Sequence, residues 1–211
     1  RVLETRGEMA LKTDKGVRIS YLQGFGQFVD DNTLAVNTST NQSDPHTRAD
    51  MPADKADKTI TFGCAVVATG APPFIPPIEG AAEGVARGGV LTSDTVWALD
   101  TPPKKLAVIG AGAIGVEMAQ IFQDFGARVT LLEAQERILA EVEPEIANTL
   151  AGILDDEPRL DVHTSAAVNK ISGTPGAMKL AYTDAEKKKR SLTVDYVIMA
   201  TGKRPVLEGL N

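Results

Sequence analysis

The stretch "LAVIGAGAIGVEMAQIFQDFGARVTLLE", residues 106–133, constrains this chain more than any other. An apolar run ends at Gly110, and Gly110, Gly112 and Gly115 follow the spacing G-x-G-x-x-G. Residues 113–125 carry a helical pattern that stops at Gly126, and a second apolar run, 128–133, ends in Glu133. The spacing predicts a strand over 106–110, a helix over 113–125 and a strand over 128–133, the opening of a dinucleotide-binding unit. Gly110 permits the tight turn. Gly112 lets backbone approach a pyrophosphate, and Gly115 lets helix and strand pack closely. The helix start offers unpaired N–H groups and its positive dipole end to phosphates. A carboxylate at Glu133 would accept hydrogen bonds from both adenosine ribose hydroxyls and repel a 2′-phosphate, so NAD is expected over NADP. Arg137 pulls the other way, since a basic residue near that strand end would serve a 2′-phosphate. Glu133 holds the deciding position.

Alternating elements continue from there. The pattern predicts a helix over 143–154, a strand over 160–164, short strands near 167–171, 178–183 and 191–194, and a strand in "DYVIMATG", 195–202. Strand–helix–strand–helix–strand implies a parallel sheet with crossover connections. The fold class expected is α/β: a Rossmann-like parallel sheet with an antiparallel meander, preceded by a β-rich segment. In that segment, 17–24, 26–30, 33–38 and 59–62 read as strands, and "CAVVATG", 64–70, reads as a strand buried on both faces. Residues 39–58 hold almost nothing that can be buried and are expected to be a mobile loop. "GAPPFIPPIEG", 70–80, reads as an extended connector. "TSDTVWALD", 92–100, reads as a short helix capped by Ser93 or Asp94.

One phrase occurs twice. Ala68-Thr69-Gly70 and Ala200-Thr201-Gly202 each close an apolar run, and Pro73 and Pro205 follow in step. Each run also follows a small antiparallel meander. A repeat of organisation as well as of letters is the expectation.

Composition narrows the function classes. With 43% hydrophobic and 24% charged residues the chain has the make-up of a globular protein. A net charge of −6 argues against nucleic acid or an anionic membrane as main partner. No apolar run reaches a membrane span of roughly 18–20 residues, and a single cysteine, Cys64, excludes an internal disulfide. A cytoplasmic location is the expectation. No set of residues has metal-ligand spacing: His46 lies in the polar loop and His163 ends a strand without a second ligand. "EKKKR", 186–190, reads as a solvated hairpin tip, and Cys64 as a small apolar residue within its strand. Glu117, in the first turns of the helix, is either an acid favoured by the dipole or a contact at the nicotinamide end. Spacing alone leaves both open.

The glycine loop "VIGAGAIGVE", the acid-ended "VTLLEAQERIL", and the paired "ATGAPPFIPPIEG" and "MATGKRP" resemble the flavoprotein disulfide reductases, most of all dihydrolipoamide dehydrogenase. The similarity extends through "YLQGFGQFVDDNTLAV". It implies a partial FAD-domain segment over 1–73, an NAD-binding domain over 74–203 with its core at 104–203, and the start of a return to the FAD domain over 204–211. It also implies that Gly110, Ala111, Gly112, Ala113, Ile114, Gly115, Val116 and Glu117 cradle NAD. Glu133 would then hold the adenosine ribose, Val168 the adenine edge and Gly202 the nicotinamide side, and Thr69, Gly70 and Ala71 would lie near FAD in the parent enzyme. Ala113 stands where relatives often carry a larger residue over the nicotinamide pocket. The family's FAD glycine loop, its cysteine pair, its His-Glu pair and its dimer domain have no counterpart here, so the chain reads as a fragment of a homodimeric enzyme. No catalytic residue is expected within it, and alone it should be inactive. In the parent, hydride would pass between NAD(H) and FAD, and electrons to or from a disulfide or dithiol substrate such as lipoamide. A mercuric reductase, an NADH oxidase or a free-standing NAD-sensing module are the alternatives.

Overall fold

The computed structural model describes residues 20–38, 56–207 and 210. The expected mobile loop falls largely on 39–55, outside the described residues, as does His46. The chain divides into two compact units, with the division between Thr69 and Gly70 and again between Pro205 and Val206.

In the larger unit, five strands form one parallel sheet: β4 (Val90–Thr92), β5 (Lys105–Ile109), β6 (Arg128–Leu132), β7 (Leu160–His163) and β11 (Tyr196–Met199), ordered β4-β11-β5-β6-β7. Every neighbouring pair runs parallel. The reason lies in the residue pattern. Along β5, Leu106 and Val108 enter one core cluster while Ala107 and Ile109 enter another. Strands apolar at every position are stable only when both faces are covered. The helices cover one face: Val116, Met118, Ala119 and Phe122 of Ala113–Asp124 and Leu154 of Pro144–Asp155 pack with Val129, Leu131 and Ile198. On the other face an antiparallel meander, β8 (Ala167–Thr174), β9 (Ala177–Thr183) and β10 (Lys189–Val194), adds Ile171, Met178, Leu180 and Val194. The α/β fold with parallel sheet and meander is therefore present as the sequence implied.

Two elements of this unit differ from expectation. The span 92–100 is not a capped helix; Thr92 pairs in β4 and only Val96–Ala98 form a 3-10 turn. The Thr92 N–H donates to the Thr95 hydroxyl (2.9 Å) and the Asp94 N–H to the Thr92 hydroxyl (3.2 Å). Such local bonds give the backbone an alternative to a helical first turn, and neither Ser93 nor Asp94 caps. A helix the sequence pattern does not suggest occupies Ala81–Ala86. Its Gly84 lowers helix propensity but lies so close to β4 that a Cβ would stand 2.4 Å from the Val90 side chain. Tertiary approach selects that residue over propensity.

In the smaller unit, β1 (Phe25–Asp30), β2 (Thr33–Asn37) and β3 (Lys58–Thr61) form an antiparallel sheet in that order. Residues 20–24 are not a strand, and Tyr21 is exposed. The buried strand expected at 64–70 is also absent: the segment has no ladder partners, Val66 is 93% exposed and Cys64 is exposed. A β-branched run becomes a buried strand only when neighbouring strands take up its N–H and C=O groups. Among the described residues none pairs with 64–70, so Cys64 is not the small core residue its neighbours suggest.

The "EKKKR" tip joins β9 to β10 as expected. There Arg190 Nε donates to Asp184 Oδ2 (2.6 Å) and the Lys188 N–H to Oδ1 (2.8 Å). The Arg190 hydrogen bond, foremost, holds the Asp184 carboxyl below its ordinary value of 3.8. A depressed carboxylate contributes stability that is present above its ordinary range and is lost as pH falls through the depressed value. Arg190→Gln should therefore move the Asp184 titration upward and start acid unfolding at a higher pH. Carboxyl-carbon NMR titration of both chains checks this, and an unmoved Asp184 curve refutes it.

Candidate functional site

The site is built where the parallel sheet meets the start of the helix Ala113–Asp124. Gly110 follows β5 with φ 97°, and a Cβ there would stand 2.5 Å from the Ala200 carbonyl oxygen at the end of β11. Gly115, in the first helical turn, is closer still: its Cβ would stand 1.8 Å from the Gly110 oxygen. Strand, helix and second strand meet at van der Waals limit there, and only hydrogen fits at either position. Gly112 is different. It has ordinary extended dihedrals, and a Cβ on it would meet nothing within 4 Å. Its bareness serves no packing inside the chain, as expected of a backbone kept open to a ligand. Gly112 is also the helix N-cap and supplies no side-chain cap, so the first-turn N–H groups remain available to an anion.

Glu133 reaches this loop directly. One carboxylate oxygen accepts the Ala111 N–H (2.6 Å) and the other the Gln135 N–H (2.8 Å). The carboxylate is half-buried, and each oxygen keeps a further lone pair for a hydroxyl donor. Its backbone is fixed as well, through Glu133 N–H to His163 O and Ala166 N–H to Glu133 O. Glu133 and the glycine loop thus form one assembly.

The remaining predicted residues are distributed around it. Ala111 and Val116 are buried, Ile114 is half-buried, and Ala113 and Glu117 are exposed on the same helix start. Gly202 follows β11 with φ 108°, two residues beyond the Ala200 carbonyl that abuts Gly110. Val168 pairs with Tyr182 in the meander and packs into the second core cluster. His163 lies beside Tyr182, with ring centroids 6.2 Å apart. The Thr201 hydroxyl donates to the Phe74 carbonyl (2.8 Å), and the Thr69 hydroxyl to the Val206 carbonyl (2.7 Å). Gly70 and Gly202 both have positive φ. The repeated Ala-Thr-Gly thus recurs as a repeated backbone device, although only the second copy closes a strand. Thr69 and Gly70 are exposed and Ala71 half-buried.

Two features lay outside the sequence reading. Arg137 does not project as a free cation: Nη1 donates to the carbonyls of Val142 (2.8 Å) and Leu139 (3.3 Å), and Nη2 to that of Ala140 (2.5 Å). Leu139, with φ 46°, donates its N–H to the Ala111 carbonyl (2.8 Å). Neither contact is legible from residue type or spacing, because both depend on a loop of irregular backbone.

The family model for pyridine nucleotide-disulphide oxidoreductases matches residues 8–211. The chain belongs to that family. A mercuric reductase of Bacillus cereus is 30% identical over 210 residues, covering all of this chain and 29% of the relative. The chloroplastic dihydrolipoyl dehydrogenase 2 of Arabidopsis thaliana is 31% identical over 160 residues, covering 73% of this chain and 27% of the relative. Among solved structures, the HOCl-induced flavoprotein disulfide reductase RclA from Escherichia coli superposes with a TM-score of 0.70 at 27% identity, over all of this chain and 42% of that one. The chain therefore spans under a third of these curated relatives. Its fold matches the corresponding part of a flavoprotein disulfide reductase.

The glycine contacts predict opposite outcomes for two similar substitutions. Gly115→Ala must displace the Gly110 carbonyl and should cost roughly 2 kcal/mol or more, in the range of overpacked sites. Gly112→Ala meets open space and should stay within about 1 kcal/mol of the parent. Urea unfolding of both variants tests this, and equal losses would contradict the division between packing glycine and ligand glycine.

Proposed function

We propose that the unit Gly70–Pro205 binds NAD(H), within an enzyme that passes hydride between NAD(H) and FAD and electrons to or from a disulfide or dithiol substrate of the lipoamide kind. The observation that carries this is Gly112: an uncapped helix N-terminus preceded by a bare, unobstructed glycine, with a carboxylate 2.6 Å from the adjoining Ala111 nitrogen. The pyrophosphate would lie on the N–H groups from Gly112 onward, where the dipole favours an anion. Glu133 would receive the adenosine ribose hydroxyls, and Ala113, Glu117 and Gly202 would lie toward the nicotinamide half. Glu117 is exposed and free to face that end.

The flavin side of that chemistry does not rest on Gly24 or Gly26. Gly24 immediately precedes β1, where a Cβ would stand 2.6 Å from the Asn37 carbonyl oxygen, and Gly26 lies within β1 against Leu34. Neither opens a helix, so neither cradles a phosphate. Thr69, Gly70 and Ala71 are the residues of this chain that would lie near FAD. A mercuric reductase type remains the second reading, favoured by the similarity to the Bacillus cereus protein along the whole chain. The nucleotide half of the chemistry is common to both.

The chain should bind NADH more tightly than NADPH, because the Glu133 carboxylate opposes a 2′-phosphate. Titration of each nucleotide at equal ionic strength measures this. Glu133→Gln should narrow the gap by weakening NADH and relieving the repulsion of NADPH; equal affinities in the parent chain would sink the assignment. Purified alone, the chain should be colourless and show no lipoamide-dependent NADH oxidation, since it has one phosphate-cradling glycine loop and one cysteine. A stoichiometric flavin absorbance band, or turnover lost on Cys64→Ser, would overturn that.

A further inference from the structure

We propose that Arg137 is a positioning residue for nucleotide binding: it touches no part of the ligand, and it sets the direction of the Gly112 N–H through the loop that follows β6. The inference rests on the reading of the glycine loop as a phosphate cradle, and it assigns that cradle an internal support.

Both polar groups of Ala111 are held by the segment after β6. Its N–H goes to Glu133 Oε2 at 2.6 Å, and its carbonyl receives the Leu139 N–H at 2.8 Å. A trans peptide points its C=O and its N–H in opposite directions. Fixing the Ala111 carbonyl on Leu139 therefore turns the Gly112 N–H away from that segment. A Cβ placed on Gly112 would also meet open space. A donor aimed before the ligand arrives binds without the cost of being ordered on arrival.

What holds Leu139 in place is less obvious. Its φ of 46° lies in the left-handed region, a costly conformation for a bulky non-glycine residue. Such a residue persists only where its surroundings over-determine it. Arg137 provides that: its guanidinium spans the carbonyls of Leu139, Ala140 and Val142, and Val142 N–H closes back on the Leu139 carbonyl at 2.9 Å. Ile138, 1% exposed, pins the segment into the core from the other side. Among the described residues Arg137 has no carboxylate partner. Its charge is used entirely on backbone carbonyls of one loop. A planar fork with several fixed donors suits that task, whereas a single ammonium does not. The alternative, that Arg137 is a direct phosphate ligand, would need the guanidinium turned out of these bonds.

The test compares the 211-residue chain with its Arg137→Met and Arg137→Lys variants. In the absence of ligand, the amide resonances of Ala111, Gly112 and Leu139 should shift in both variants; unmoved resonances overturn the proposal. ADP affinity should then fall about tenfold in both, the worth of one misaimed charge-assisted hydrogen bond. Adenosine, which has no phosphate, should bind each variant as it binds the parent. A general loss of structure would weaken both ligands together and count against the proposal. Wild-type ADP affinity in Arg137→Lys would show that charge alone matters, and would overturn it too. If neither variant folds, ADP titrated into the parent chain decides: the Gly112 amide should move and the Arg137 Nε–H signal should not, and a shifted Arg137 signal refutes the idea. A parent chain that binds neither ADP nor NADH would instead refute the cradle, while the ligand-free amide shifts would still judge the support.

Discussion

Everything in the larger unit depends on three backbones meeting with no room for a side chain. Gly110, Gly115 and Ala200 bring the end of β5, the first turn of the helix and the end of β11 into contact, with a Cβ on Gly115 placed 1.8 Å from the Gly110 oxygen. This one close approach seats the helix on the sheet. It also directs the helix N-terminus at the carboxyl edge of the strands, the edge where ligands bind in open α/β sheets. The apolar clusters on both faces hold the sheet together, but they do not specify where the helix begins. The glycines do.

A second layer of constraint comes from the segment after β6. Glu133 is engaged twice by backbone N–H groups and yet keeps acceptor capacity, so it supports the glycine loop and remains able to receive a ligand hydroxyl. Arg137 and Leu139 complete the brace from the opposite side of Ala111. A site supported in this way resembles the general case in which a binding group is precise because a shell of other residues locks it.

The two units differ in how far their sheets are completed. The larger carries a complete sheet with both faces covered and a preformed loop at its edge. In the smaller, an antiparallel sheet is followed by the exposed run 64–70, whose composition is that of a buried strand. Thr69 and Thr201 perform the same act at the two Ala-Thr-Gly sites, each hydroxyl donating to a backbone carbonyl. The duplicated phrase is thus a duplicated turn, whether or not a strand precedes it.

What the sequence by itself determined is the alternation of strands and helices from residue 106 onward and the place of the glycine loop, but neither β4 nor the order of strands in the sheet. Those features rest on local rules: period, glycine spacing, and a strand-ending acid at Glu133. Tertiary structure alone decided the rest. A glycine is kept at position 84 of a helix because β4 leaves room for nothing larger, and 92–100 turns early because hydroxyls of Thr92 and Thr95 capture its backbone. Residues 64–70 stay exposed because no described strand takes their hydrogen bonds. Arg137, which from residue type suits a phosphate, serves backbone carbonyls, because where a side chain points is set by the loop that carries it. Periodicity and spacing report what each residue prefers locally. They cannot report which backbone groups are left wanting a partner once the chain has closed on itself.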